Sequence, residues 1–239
     1  VVQHLVPLVD GFDVASAGEM MTALDSGMSA ARIAFAGPGK SDFELCQALA
    51  AGILVEIESE GELRRLSSIA KRRGYSPRIS IRINPDFELK GSGMRMGGGP
   101  QQFGVDVERV PDFLKALAAE GHSLEGIHIF AGSQNLRAGL IIQTQSKIVD
   151  LALDIAERVS EPLRYLNIGG GLGIPYFPKD QALDLAKIGD HLRSLVDRVA
   201  DRQPQAHVIL ELGRYIVGEA GLYVCRVIDR KQSRGEVFL

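Results

Sequence analysis

An apolar run, Leu166-Asn167-Ile168, passes directly into Gly169-Gly170-Gly171, followed by Leu172 and Gly173. Consecutive glycines leave backbone N–H groups open to close approach, which is what a phosphate requires. A plain tight turn and a dinucleotide fingerprint are the other two readings. A fingerprint should open a helix at once within a βαβ unit, whereas Ile174-Pro175-Tyr176-Phe177-Pro178 follows here and cannot begin a helix cleanly. A second cluster, Glu211-Leu212-Gly213-Arg214, follows the apolar run Val208–Leu210 and brings a carboxylate and a guanidinium to the end of another strand. A phosphate together with a paired acid and base points to a charged cofactor.

Short apolar or β-branched runs recur along the chain: Phe12–Ser16, Arg32–Ala36, Ile53–Ile57, Arg78–Asn84, Leu124–Ala131, Tyr165–Ile168 and Val208–Leu210. Each reads as a strand. Helical patterns lie between them at Ala17–Gly27, Ser41–Ala51, Glu60–Gly74, Arg109–Gly121, Gly139–Val159 and Leu183–Gln203, with capping residues such as Ser41. This alternation predicts an α/β fold with a parallel sheet, namely a (β/α)8 barrel. Seven strands leave it one short, and Val1–Leu8 reads as the tail of a helix, so the first strand is expected upstream of this segment. At the other end Gly221–Ile228 alternates like a strand with no helix after it. The expected division is a barrel domain over 1–219 and the opening strand or strands of a C-terminal β domain over 220–239.

In such a barrel the chemistry sits where strands end. The polar residues there are Asp13 and Ser16, Glu56 and Glu58, Arg82 and Asn84, His128 and Ser133, Asn167, and Glu211 with Arg214. Strand alternation sets His128, Phe130 and Gly132 on one face and Arg82 and Asn84 on one face, so each set can point inward.

The formal charge of −3, from 27 basic and 30 acidic side chains, gives no reason to expect nucleic acid or an anionic membrane surface. No apolar run approaches the roughly 18 residues of a spanning helix. Cys46 and Cys225 each lie in an apolar pattern far apart in sequence, which predicts buried thiols, no disulfide framework and a reducing, cytoplasmic setting.

Taken together, Gly11-Phe12-Asp13-Val14-Ala15-Ser16 with Glu19, Arg82-Ile83-Asn84-Pro85, Phe103-Gly104-Val105-Asp106, Gly132-Ser133-Gln134, Gly169-Gly170-Gly171 and Glu211-Leu212-Gly213-Arg214 resemble the pyridoxal-phosphate-dependent decarboxylases of the alanine-racemase-like barrel type, which act on diaminopimelate, ornithine and arginine. Their order and spacing are more specific than any one of them. More narrowly, Phe35–Lys40, Gly91–Gly99 and His128–Leu136 resemble a bacterial branch associated with exosortase systems. The Gly91–Gly99 segment reads equally as a mobile loop or a substrate-covering lid.

The resemblance implies pyridoxal 5'-phosphate as cofactor, a small amino-acid substrate, loss of its α-carboxylate as CO2 through a Schiff base, and a homodimer that shares its active site. Glu211 would face the ring nitrogen, and Gly169, Gly170, Gly171 and Ser133 would take the phosphate. Gly213 and Arg214 would lie near phosphate or substrate carboxylate, and Asp13 and Arg82 near the ring and its phenolic oxygen. No metal is expected. Relatives carry a histidine where Phe130 stands, so stacking is kept and proton transfer is lost or passed to His128, which is the second catalytic candidate beside Glu211 and is equally readable as a core residue. Leu212 stands where proline is usual. The Schiff-base lysine is expected upstream of Val1 and a cysteine and an acid from a partner subunit beyond Leu239, so this segment alone should bind cofactor weakly and turn nothing over. A racemase is the nearest alternative, but racemases of this fold set an arginine at the ring nitrogen. A non-catalytic cofactor-carrying barrel is the other, and the strand expected at Leu222–Ile228 argues against it.

Overall fold

A computed structural model of the chain describes residues 1–88, 94–95, 97–159 and 161–239. After a short helix α1 (Val2–Leu5), the chain alternates strands and helices. These are β1 (Phe12–Val14), α2 (Ala17–Asp25), β2 (Ile33–Phe35), α3 (Asp42–Ala51), β3 (Leu54–Ile57), α4 (Glu60–Arg73) and β4 (Arg78–Asn84). The alternation is interrupted by β5 (Met94–Arg95) and β6 (Val105–Asp106), then resumes with α5 (Val110–Ala119), β7 (Gly126–Ile129), β8 (Gly132–Ser133) and α6 (Ala138–Ala156). Next come β9 (Tyr165–Asn167), α7 (Leu185–Arg202), β10 (His207–Ile209) and α8 (Gly213–Val217), and a hairpin of β11 (Lys231–Ser233) and β12 (Glu236–Phe238) closes the series.

Seven strands pair in parallel in the order β1-β2-β3-β4-β7-β9-β10, with β6 added beside the end of β4. The sheet curls with helices outside it, and β1 and β10 are its two free edges. This is the expected α/β barrel, incomplete by one strand position. The sequence cues set the helix ends. Ser41 accepts from the Glu44 N–H while the Glu44 carboxylate accepts from the Ser41 N–H, a capping box that starts α3. Gly52 and Gly74, both left-handed, stop α3 and α4.

Alternation along the strands separates two interiors. Val14, Phe35, Val55, Ile57, Ile81, Ile83, Ile127 and Leu166 face outward and bury against Leu45, Leu63, Leu66, Phe113, Val149 and Leu153 of the helices. Each such side chain contributes on the order of 1.5–3 kcal/mol by leaving water. The opposite positions, Asp13, Glu56, Arg82, His128 and Asn167, point into the barrel. The pairing Arg82↔His128↔Asn167 across β4, β7 and β9 puts three of them in one row. The apolar layer thus holds the fold while the polar interior is left for chemistry.

Three expectations need correction or delimitation. Residues 221–228 form no strand: Leu222, Tyr223 and Ile228 are almost wholly exposed and no ladder engages them. Alternation alone makes no strand without a neighbour to bond to, and the pairing that does form is the hairpin Lys231–Ser233 with Glu236–Phe238. Cys225, in that unpaired stretch, is exposed and Cys46 is only partly buried, so neither is the fully buried thiol expected. Of the Gly91–Gly99 segment, residues 91–93 and 96 lie outside the described residues, as does Lys90; Met94–Arg95 pairs antiparallel with Gly132–Ser133.

Candidate functional site

The polar row converges at the end of the barrel where the strands finish. His128, 1 % exposed, is gripped from both sides. Its Nδ1 lies 2.5 Å from Glu56 Oε2 and its Nε2 2.9 Å from Glu211 Oε1, the second contact an ion pair off the line of an ideal hydrogen bond. Burial alone would lower the affinity of the imidazole for its second proton. The two carboxylates outweigh burial and push its pKa to about 10, so His128 is a cation.

Glu211 is the more open partner, its side chain 22 % exposed. Burial would raise its carboxyl, but the His128 charge and hydrogen bond, Asn167 and Arg82 together hold it below the ordinary carboxylate range. Asn167 ties Glu211 to the glycine loop: its Nδ2 donates to Glu211 Oε1 at 2.9 Å and its Oδ1 accepts from the Gly169 N–H at 2.9 Å. The Glu211 N–H donates back to Gly169 O at 2.9 Å. Glycine loop and acid are therefore one assembly.

Two glycines in that assembly admit no side chain. A Cβ on Gly170 would sit 1.9 Å from the Glu211 carbonyl oxygen. Gly169, at φ +68, has the Phe130 ring 2.7 Å from where its Cβ would be. The N–H groups of Gly170 and Gly171 bond no described residue, and this leaves a cradle of free donors that side chains would fill. At Gly213 a Cβ would meet nothing, so the chain itself does not demand glycine there. The loop is braced from behind: Asn135 N–H donates to Gly171 O and Gly173 N–H to Asn135 O. Gln134, held at φ +58, donates from Nε2 to Ile174 O at 2.6 Å and takes Arg214 Nη1 at 3.4 Å. The half-buried Ser133 hydroxyl precedes this brace and bonds no described residue.

Asp13 projects inward from β1 and is open to water along the free edge. Burial among barrel atoms, then the charges of Glu211 and Glu56, push its carboxyl well above the usual range, a shift that contact with water tempers. Arg82 sits 3.4 Å from Glu58 and 4.7 Å over the Phe103 ring. Phe130 meets His128 edge to face at 6.4 Å.

All the residues expected from the sequence thus gather at one end: Asp13, Arg82, His128, Phe130, Ser133, Gly169, Gly170, Gly171, Glu211, Gly213 and Arg214. The supports are not legible in the sequence. The strand pattern sets Glu56 at a strand end but does not reveal it as the second clamp on His128. Lys40, which has no counterpart in a catalytic position, proves to be a buried strut: its Nζ bonds Glu62 at 2.8 Å, Gly37 O at 2.7 Å and Glu56 O at 2.6 Å. Glu62 in turn accepts from the Glu58 N–H at 2.8 Å. The Ser41–Glu44 and Ser59–Glu62 spacings mark helix starts, and nothing in them announces an ion pair.

At the strand ends of an incomplete α/β barrel, the open N–H donors of the glycine cradle and the ionised acid beside it fit a ligand that carries an anionic group and a protonated nitrogen. The model of the pyridoxal-dependent decarboxylases' pyridoxal binding domain matches residues 1–218, and the chain belongs to this family. The cofactor of the family is pyridoxal phosphate. The L-glutamyl-[BtrI acyl-carrier protein] decarboxylase of Niallia circulans is 41% identical over 234 residues, which are 96% of this chain and 54% of that protein. The diaminopimelate decarboxylase of Aquifex aeolicus is 35% identical over 243 residues, covering 99% of this chain and 56% of that one. Among solved structures, the Helicobacter pylori diaminopimelate decarboxylase complexed with L-lysine superposes with a TM-score of 0.74 at 30% identity, over 88% of this chain and 52% of that one. The chain spans about half the length of the curated relatives it matches. Among the described residues no helix is long and apolar enough to cross a membrane.

Proposed function

We propose that this chain is the cofactor-binding half of an amino-acid decarboxylase, cytoplasmic and homodimeric, whose active site the two subunits share. The observation that carries this reading is the ionised Glu211, locked through Asn167 to a glycine cradle. When bound, pyridoxal phosphate supplies a protonated pyridine ring as a sink for the electron pair left by the departing carboxylate.

The chain's own residues would hold that ring and set its charge. The Gly170 and Gly171 N–H groups and the Ser133 hydroxyl would donate to the phosphate, with Gly213 leaving room beside it. Glu211 would accept the ring N–H, and its negative charge would favour the protonated nitrogen. Phe130, packed against Gly169, would offer the ring an apolar face, worth about 0.5–1.5 kcal/mol as a stacking pair. Asp13 and Arg82 would support the ring from beside it. Arg214, held by Gln134, is available to phosphate or to a substrate carboxylate.

The test is CO2 release by the full-length protein from a panel of free and carrier-tethered amino acids. Decarboxylation of one of them, with Glu211→Gln lowering kcat by orders of magnitude and leaving cofactor affinity nearly intact, supports the reading. Inversion of the α-carbon without CO2 release overturns it in favour of a racemase. Cofactor binding with no chemistry on any amino acid favours a carrier.

A further inference from the structure

We infer that Glu56 and His128 are positioning residues, a buried carboxylate–imidazolium pair that clamps Glu211 in its charged form and in its place, and that His128 exchanges no proton with substrate. The inference rests on Glu211 being the acid that faces the cofactor.

The geometry leaves His128 no other work. Nδ1 is hydrogen-bonded to Glu56, and Nε2 is in ion-pair contact with Glu211, off the hydrogen-bond line. A carboxylate against each nitrogen favours the doubly protonated ring. It is also buried, 1 % exposed, between the two carboxylates that hold it. A general acid or base must present a ring nitrogen to the atom it serves, and both of those of His128 face carboxylates.

What it does instead follows from the charges that face it from every neighbouring element. Asp13 enters from β1, Glu56 from β3, Arg82 from β4 and Glu211 from beyond β10, with Glu58 behind Arg82. Removing the imidazolium would leave Asp13, Glu56 and Glu211 facing one another with Arg82 as the sole cation of that row. Like charges in so confined a space do not all stay ionised, so one carboxyl would take up a proton. A protonated Glu211 no longer favours the charged ring. Glu56 is the anchor: it holds Nδ1, fixes the ring plane and so aims Nε2 at Glu211, the role an outer carboxylate plays behind a metal-bound histidine. Lys40 fixes the Glu56 backbone carbonyl at 2.6 Å, and this keeps the anchor from shifting.

The experiment uses the full-length protein freed of cofactor and labelled with 15N-histidine. Long-range 1H–15N spectra follow the His128 ring nitrogens from pH 6 upward, in the native protein and in Glu56→Gln, and pyridoxal phosphate affinity is measured at each pH. In the native protein both nitrogens should remain protonated well above neutrality, and affinity should vary little through the neutral range. In Glu56→Gln the midpoint of the His128 titration should fall by about one unit or more, since an opposite charge at contact shifts a pKa by that much. Because neutralising Glu211 itself is expected to leave cofactor affinity nearly intact, affinity in Glu56→Gln should change little, and the fall of the His128 midpoint is the readout. A neutral His128 in the native protein near pH 7.5 overturns the inference without any variant, so misfolding of Glu56→Gln cannot shield it. An unchanged His128 titration in a folded Glu56→Gln overturns it too. If His128 titrates as expected but pyridoxal phosphate does not bind, the clamp stands and the proposed function fails instead.

Discussion

Replacing Gly170 by alanine should unfasten the glycine loop from the acid it is locked to. The added Cβ would stand 1.9 Å from the Glu211 carbonyl oxygen, where ordinary contact begins at 3.4 Å. That oxygen belongs to backbone and cannot swing aside, so the two strand ends must part by more than an ångström. Forcing a methyl into a filled site destabilises by about 1–3 kcal/mol. The movement also strains the Glu211 N–H bond to Gly169 O and the Asn167 bridge to Glu211, each worth about 1 kcal/mol. A loss of roughly 2–4 kcal/mol corresponds to a Tm lowered by about 4–16 °C at 2–4 °C per kcal/mol. The control is Gly189→Ala in the second turn of α7, where a Cβ meets nothing; helix propensity predicts a gain of about 0.5–1 kcal/mol there. Scanning calorimetry of the two variants beside the native protein reads both effects. Equal Tm for Gly170→Ala and the native protein would refute the packing argument, and so would equal losses at the two glycines.

Phe130→Leu should weaken pyridoxal phosphate binding by about the 0.5–1.5 kcal/mol of a lost stacking pair while leaving the pH dependence of turnover unchanged, as titration and steady-state rates would show. The folded-state pKa of His128, about 10 against an ordinary 6.5, means that its contribution to stability is whole below about pH 6.5 and is lost as pH rises toward 10. Urea unfolding should therefore show the native protein losing on the order of a few kcal/mol across that window, and a folded His128→Gln should lose much less. Glu211, held below its ordinary value, acts in the opposite direction, stabilising at neutral pH and ceasing to do so on acidification.

How much could be read from sequence follows from what each feature depends on. The seven barrel strands are legible because buried parallel strands are short apolar runs, and their alternation with amphipathic helices leaves few other topologies. The inward direction of Arg82, His128 and Asn167 follows from the same period of two. The capping box at Ser41 and Glu44 is a local rule and holds locally. The clamp on His128 is not local: Glu56, His128 and Glu211 lie on three separated elements, and only the register and curl of the sheet bring them together. Strands β5 and β8, two residues each, are too short to carry a pattern. Residues 222–228 carry the pattern and lack the partner, the converse failure. The resemblance supplied roles for Glu211 and the glycines that spacing alone leaves open between a turn and a phosphate cradle.

The most direct test is a crystal structure of the full-length protein grown with pyridoxal phosphate. The account predicts the phosphate on the Gly170 and Gly171 N–H groups, the pyridine nitrogen within hydrogen-bond reach of Glu211, and the ring face against Phe130. A phosphate bound elsewhere, or a ring nitrogen turned toward Arg82 or Arg214 instead of Glu211, would contradict it.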